Sequence, residues 1–334
     1  GAVWMPITTD LAGMLDALRG ADSFLITTHT SPDGDAVGSM LAMRHLLASM
    51  GKKRIDCVLS DPVPQLYRHL PGGGDIVGVE GARGPYDAAV LVDASRRMRA
   101  GKAAALLEPP ARLLVIDHHD EPDPEGDLVF IDPTYAAVGE IIVRLVETAG
   151  LSMSQALAEC AYVALVTDTG SFRYANTSPR VHRVAASLVE TGLDVAEISM
   201  RIFDVLTVGK LGLLQRMLAR VARLHDGMLV YSELLCSDME ETGAGAEDIE
   251  GLVNFLRSID GVHLAILFRE FSPDETKINL RARPGVNCAA LARRFGGGGH
   301  PAAAGATVKQ PLDATRAEVL RVSIEALRKS AEPF

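Results

Sequence analysis

Three short apolar runs, Phe24-Leu25-Ile26, Ala88-Ala89-Val90-Leu91-Val92 and Leu113-Leu114-Val115-Ile116, limit most narrowly how this chain can fold. Each is brief and bounded by glycine, proline or charge, which is how strands buried on both faces of a parallel sheet read. In an open α/β sheet, ligands collect beyond the carboxyl ends of the strands, so residues far apart in sequence meet there when the strands are neighbours. His29, Asp93 and Asp117 each stand in that position. A fourth apolar run, residues 161–166, belongs to a helix-like segment over 153–167 that ends at Asp168, so that Asp168 joins the others only if the fold closes around it.

Strand-like and helix-like segments alternate to about residue 190, the pattern of βαβ units. Helices are expected over residues 10–19, 36–50, 137–149, 153–167 and 179–191, the last with Ser178 as N-cap and Pro179 at its first position. Gly192-Leu193-Asp194 stops that helix, and a broken helical stretch runs over 195–220. Beyond it, antiparallel-looking strands are expected at 221–225, 228–234, 263–269 and 277–283, with helices at 246–258 and 313–329 and a hairpin at Asp226-Gly227. The expected fold is α/β: a mostly parallel sheet flanked by helices, then a smaller mixed α/β domain. Residues 1–191 form the first domain, 192–220 a helical linker and 221–334 the second.

The chain's 334 residues, 48% of them hydrophobic, suffice for two separate cores. Its net charge of −10 argues against tracking along a long nucleic acid, which takes many lysine or arginine contacts to phosphates, but allows a short phosphorylated substrate. No apolar run approaches the roughly 20 residues of a membrane span, and Gly1-Ala2-Val3-Trp4-Met5 lacks the pattern of an export signal, so a cytoplasmic protein without membrane association is expected. The four cysteines, Cys57, Cys160, Cys236 and Cys288, stand alone and read as reduced, buried thiols rather than zinc or redox motifs.

Asp33 and Asp35, two apart in a Pro- and Gly-shaped loop after His29, can face adjacent cations, and read equally well as helix caps. Asp93 alone would be a turn residue, but with the other clusters it is the candidate bridge between two metals. In Asp117-His118-His119, neighbouring imidazoles point in different directions, so one can ligate a metal and the other face substrate while Asp117 orients a ring. Imidazole and carboxylate ligands without thiolate suit Mn²⁺ or a similar divalent ion, and two such ions activate water against a phosphoryl group. Arg294-Phe295-Gly296-Gly297-Gly298-Gly299-His300-Pro301 reads as a loop where phosphate approaches backbone N–H groups, with His300 as a further donor. Arg281 and Arg283 lie on a strand leading to it and are expected to face opposite sides. His45, His69, His182, His225 and His263 have no partner spacing, and Gly72-Gly73-Gly74 lacks the residues of a P-loop.

Together, THTSPDGDAVGS, LVDAS, VIDHH, VTDTGSF and FGGGGHPAAAG, in this order, resemble the DHH phosphoesterase family with a C-terminal DHH-associated domain, in particular its bacterial nano-RNase and 3′-phosphoadenosine 5′-phosphate (pAp) phosphatase branch. The resemblance covers nearly the whole chain. It implies one Mn²⁺ on His29, Asp33 and Asp93 and a second on Asp35, Asp93, His118 and Asp168. It also implies His119 on the scissile phosphate, Asp117 behind the ligands, and Arg99, Arg281, Gly298, Gly299 and His300 on the substrate across an interdomain cleft. The implied reaction is two-metal hydroxide attack on short oligoribonucleotides, giving nucleoside monophosphates, and on pAp, giving AMP and phosphate. The alternatives are a cyclic di-AMP or pApA phosphodiesterase, a long-strand exonuclease, an inorganic pyrophosphatase, or a nonenzymatic nucleotide-binding regulator. The family often forms homodimers.

Overall fold

The computed structural model describes residues 7–109 and 111–330, so Gly1-Ala2-Val3-Trp4-Met5 lies outside the described residues. Two compact units divide between Val205 and Leu206, within the segment 192–220. The first contains strands β1 (Ile7–Thr8), β2 (Ser23–Thr27), β3 (Arg54–Leu59), β4 (Val77–Gly78), β5 (Ala88–Val92), β6 (Arg112–Asp117) and β7 (Leu128–Ile131). Its helices are α1 (Leu11–Arg19), α2 (Gly34–Ser49), α3 (Val138–Ala149), α4 (Gln155–Asp168), α5 (Pro179–Val189) and α6 (Val195–Phe203).

The strands form one all-parallel sheet in the order β1-β7-β6-β5-β2-β3-β4. Every residue of β2 and β5 is buried, as the continuous apolar runs require of strands covered on both faces. Alternate side chains feed two cores. Phe24, Ile26 and Val90 pack against α2, α3 and α4, while Leu25, Ala89 and Leu91 face the segment after β5. The chain turns one way from β2 to β3 and returns on the other side of β2 as β5, so the topological switch lies between β2 and β5. The crevice at their carboxyl ends is where such sheets hold ligands. Asp10, Asp33, Ser154 and Ser178 accept the orphan N–H groups at the starts of α1, α2, α4 and α5, and Pro179 opens the last of these.

The second unit contains α7 (Val208–Ala219), β8 (Ala222–Leu224), β9 (Leu229–Leu234), α8 (Cys236–Thr242), α9 (Leu252–Arg257), β10 (Leu264–Ser272), β11 (Glu275–Ala282), α10 (Cys288–Arg293), β12 (Gly298–His300), β13 (Ala303–Val308) and α11 (Leu312–Ser330). Its sheet runs β12-β13-β11-β10-β9-β8, and β8 and β9 form the hairpin through Asp226-Gly227. The sheet is mixed rather than antiparallel throughout, because α8 and α9 carry the chain across from β9 to a parallel β10. The helix expected over 246–258 is interrupted at Gly251, where φ is +78°, leaving a short turn and α9.

The glycine run is not only a loop. Gly298–His300 is an edge strand on β13, and a Cβ on Gly297 would stand 2.1 Å from the Gly305 carbonyl, so backbone contact is what excludes side chains there. Arg281 and Arg283 do not oppose each other by alternation, since residues two apart in a strand share a face. β11 ends at Ala282, leaving Arg283 beyond the strand and exposed. Cys57, Cys160 and Cys288 are buried free thiols, whereas Cys236 is half-buried. Among the described residues no helix is long and apolar enough to cross a membrane.

Candidate metal centre

The carboxyl ends of β2, β5 and β6 deliver His29, Asp93 and Asp117-His118-His119 into the switch-point crevice, and two helix ends complete the group. Asp33 and Asp35 stand at the start of α2, and Asp168 closes α4. These helices pack closely because small residues line their contact. A Cβ on Gly38 would lie 2.6 Å from the Cys160 carbonyl, and one on Gly139 would lie 2.5 Å from Ala164 Cβ. Side chains there would push α2, α3 and α4 apart, and Asp35 away from Asp168.

Two donor groups result, His29 with Asp33 and Asp93, and Asp35 with His118 and Asp168, the donor atoms of each lying within 4.8 Å of one another. Asp93 lies between them, with its Oδ2 3.3 Å from His29 Nε2 and its Oδ1 3.5 Å from His118 Nε2. His118 Nε2 also faces Asp168 at 3.4 Å and Asp35 at 3.6 Å. A third group joins Asp93, His118 and His119.

Neighbouring atoms fix how each ring is presented. His29 Nδ1 pairs with the Thr30 carbonyl at 2.8 Å and His118 Nδ1 with the Tyr135 carbonyl at 3.2 Å, which turns both Nε2 atoms inward. His119 Nδ1 pairs with Asp117 Oδ1 at 2.7 Å. Asp35 accepts hydrogen bonds from Ser39 Oγ and from the Val138 and Gly139 N–H groups at the start of α3. Asp33 caps α2 through the Ala36 N–H and also faces His29 Nε2 at 4.0 Å.

Among the described residues, the cationic side chains paired with these carboxylates are histidines. Burial, then the charges of Asp93 and Asp168, pushes the Asp35 carboxyl well above the usual range. Burial also pushes Asp168 up to about 7 despite the opposing His118. Burial alone would lower His29 and His118, but the facing Asp93 and its neighbours raise them to about 9 and about 10. Those imidazoles in turn hold Asp93 below the carboxylate range against its burial. Asp93 Oδ1, His118 Nε2 and Asp117 Oδ2 are buried without a hydrogen-bond partner. Four clustered carboxylates with inward-facing orphan donor atoms are the environment that divalent cations stabilise, and a donor set of imidazole and carboxylate fits Mn²⁺ or a similar ion.

Several supporting residues escape a reading of the sequence. Glu140 is fully buried, accepts from the Ala136 N–H and pairs with Arg180 of α5 at 2.7 Å. Arg180 donates to the Thr134 carbonyl, and Asn176 donates to the carbonyls of Ala136 and Asp168. They clamp residues 134–138, which position both His118 and Asp35. A charged residue inside the otherwise apolar start of α3 was the one visible signal. Arg99 has an exposed side chain, and its carbonyl accepts from the Thr30 N–H at 2.7 Å, beside His29. Arg281, Gly298, Gly299 and His300 belong to the second unit, where Arg281 pairs laterally with Ala303 and Ala303 with His300.

A model of the "DHH family, N-terminal domain" matches residues 23–165, and one of the "DHHA1 domain" matches residues 226–329. The chain is 32% identical to the "Bifunctional oligoribonuclease and PAP phosphatase NrnA" of Thermus thermophilus over 323 residues, covering 96% of this chain and 94% of that protein. The protein of the same name from Bacillus subtilis is 27% identical over 93% of this chain and 96% of its own length. Among solved structures, an exopolyphosphatase-related protein from Bacteroides fragilis matches with a TM-score of 0.86 at 26% identity, covering 95% of this chain and 96% of that one.

Proposed function

Since the chain belongs to the DHH family, carries a DHHA1 domain after the catalytic one and is a phosphoesterase, we propose that it hydrolyses short oligoribonucleotides to nucleoside monophosphates and pAp to AMP and phosphate. The observation that carries this reading is the position of Asp93 between two ligand groups at the switch point of the sheet, in a chain matched end to end by relatives named for both activities.

In this reading His29, Asp33 and Asp93 hold one divalent cation and Asp35, Asp93, His118 and Asp168 the other, Mn²⁺ being the first candidate for both. The cations, when bound, supply positive charge against the phosphoryl oxygens and a water activated for attack. The chain itself does the positioning. Asp117 holds the His119 ring through Nδ1, and His119 is assigned to the scissile phosphate and the departing hydroxyl. Arg99, whose carbonyl accepts from the Thr30 N–H, is assigned a further phosphate contact. Arg281, Gly298, Gly299 and His300 of the second unit are assigned to the substrate's nucleotide or terminal phosphate.

The test compares hydrolysis of pAp, pApA, cyclic di-AMP and a single-stranded RNA 24-mer, with and without Mn²⁺. pAp and pApA are expected to turn over fastest, and Asp93→Ala to reduce both by about 10³-fold or more, because both cation sites lose a ligand. Preference for the cyclic dinucleotide would replace the substrate assignment, and equal rates with a chelator present would remove the metal one.

A further inference from the structure

Immediately beyond α4 the chain passes through Gly170, Ser171 and Phe172 with φ of +56°, +57° and +63°, three left-handed residues in a row. Glycine adopts that conformation freely, whereas serine and phenylalanine hold it only where their surroundings over-determine it. Here the surroundings do. Thr169, fully buried, accepts the Phe172 N–H at its Oγ1 and donates that hydroxyl to the Leu165 carbonyl. The Phe172 ring stacks on His182 of α5, with ring centres 5.2 Å apart. The reversal returns Asn176 to the end of α4, where its Nδ2 donates to the carbonyl of Asp168 at 3.1 Å.

The same amide donates to the Ala136 carbonyl at 3.3 Å. Ala136 follows Tyr135, whose carbonyl faces His118 Nδ1, and precedes the Val138 and Gly139 N–H groups that hold Asp35. The Arg180 guanidinium lies 4.1 Å over the Tyr135 ring and steadies that stretch from the side of α5. Asn176 therefore joins the segment that carries Asp168 to the segment that orients His118 and Asp35. His29 and Asp33 belong to a different frame. In the loop between them, the Thr30 N–H donates to the Arg99 carbonyl at 2.7 Å, and the Ser31 N–H, at a left-handed φ of +53°, donates to Asp61 Oδ2 at 2.6 Å. Asp61 follows β3, which lies on the side of β2 away from β5 and β6. Among the described residues, Asp61 and Asn176 share no hydrogen-bond partner.

We propose that Asn176 and Asp61 are positioning residues, each serving one cation of the pair: Asn176 the cation on Asp35, His118 and Asp168, and Asp61 the cation on His29 and Asp33. The inference rests on the two-cation reading above, with Asp93 common to both sites. Asp61 lies outside the donor groups, and Asn176 Nδ2 is occupied by two carbonyls, so each acts through the backbone that carries the ligands. Groups that orient metal ligands set affinity without touching the ion. Two disjoint frames make the affinities of the two sites separately adjustable, so that the protein can release one cation and keep the other.

The test is calorimetric titration of the metal-stripped full chain with Mn²⁺, and melting in EDTA separates loss of positioning from loss of fold. The wild type is expected to take up two equivalents. In Asn176→Ala, and equally in Asp61→Ala, one equivalent should bind about ten-fold more weakly and the other as before, with the metal-free melting temperature unchanged. Double variants identify which site is affected. Asn176→Ala should weaken the cation that remains in His29→Ala and leave alone the one that remains in Asp168→Ala; Asp61→Ala should show the reverse. Equal weakening of both equivalents by either single variant overturns the inference, as does wild-type binding in both, or a loss of affinity that follows a fall in the metal-free melting temperature. If the wild type takes up two equivalents and the variants do not discriminate, the separate frames fail and the two-cation reading stands. A wild type that binds no Mn²⁺ overturns that reading and the frames together.

Discussion

Asp93 adopts φ +56°, in the left-handed region, immediately after a strand with no exposed residue. Such a conformation costs about 1–3 kcal/mol, and Asp and Asn tolerate it better than most residues. Asp93→Asn thus separates charge from backbone strain: it should bind less metal and lose hydrolysis while its metal-free melting temperature stays close to that of the wild type. Asp117→Asn leaves the cation ligands intact but replaces the charged acceptor at His119 Nδ1 with a neutral amide, so kcat should fall by about 10–100-fold with unchanged metal stoichiometry. In the second unit, Arg220, the Leu235 N–H and Arg216 hold Asp238 below the carboxylate range although its burial opposes this. Its contribution to stability is therefore complete above the unfolded value near pH ~4 and is lost as pH falls through the lower folded value. Asp238→Asn should cost about 1–2 kcal/mol at neutral pH and weaken the acid limb of a denaturation profile. The clusters at His29, Asp93 and Asp117 were legible in the sequence because each follows its strand, whereas Asp168 ends a helix and joins them only through the fold. Glu140, Arg180 and Asn176 were not, because their partners are far away in the chain and burial cannot be read from residue type.

The centre's dimensions come from the packing of whole helices. Gly38 rests against the Cys160 carbonyl and Gly139 against Ala164, so α2, α3 and α4 meet almost backbone to backbone. Gly38→Val should destabilise the protein by about 1–3 kcal/mol. It should also weaken cation binding, because α2 carries Asp35 and α4 ends in Asp168; calorimetric titration with Mn²⁺ beside a denaturant melt reads both effects. Helix starts were legible where Asp33, Ser154 and Ser178 signal them. β3 and β7 were not: Arg54-Ile55-Asp56 breaks the apolar run of β3, and β7 is only four residues long. The edge strand Gly298–His300 was hidden for another reason, since glycine favours no strand until a neighbouring backbone demands its close approach.

Over the whole molecule, the expectation of two cores from length and apolar content is met by a separate pair of apolar clusters in each unit. Between the units, residues 203–208 are exposed without interruption, and 204–207 lie outside helix and strand. Limited proteolysis should cut first within 203–208, an elastase-type enzyme taking Val205, and yield two fragments that resist further digestion; early cleavage inside either sheet would contradict the division. How far each sheet extends sideways has its own consequence. As described, the outermost strands are β1 and β4 in the first sheet and β8 and β12 in the second, and none exceeds three residues. An edge that short offers another molecule almost no ladder to extend, so the native protein gives little template for aggregation. Concentrated solutions held below the melting temperature should stay free of thioflavin-positive fibres, and clouding on heating should follow loss of the cores.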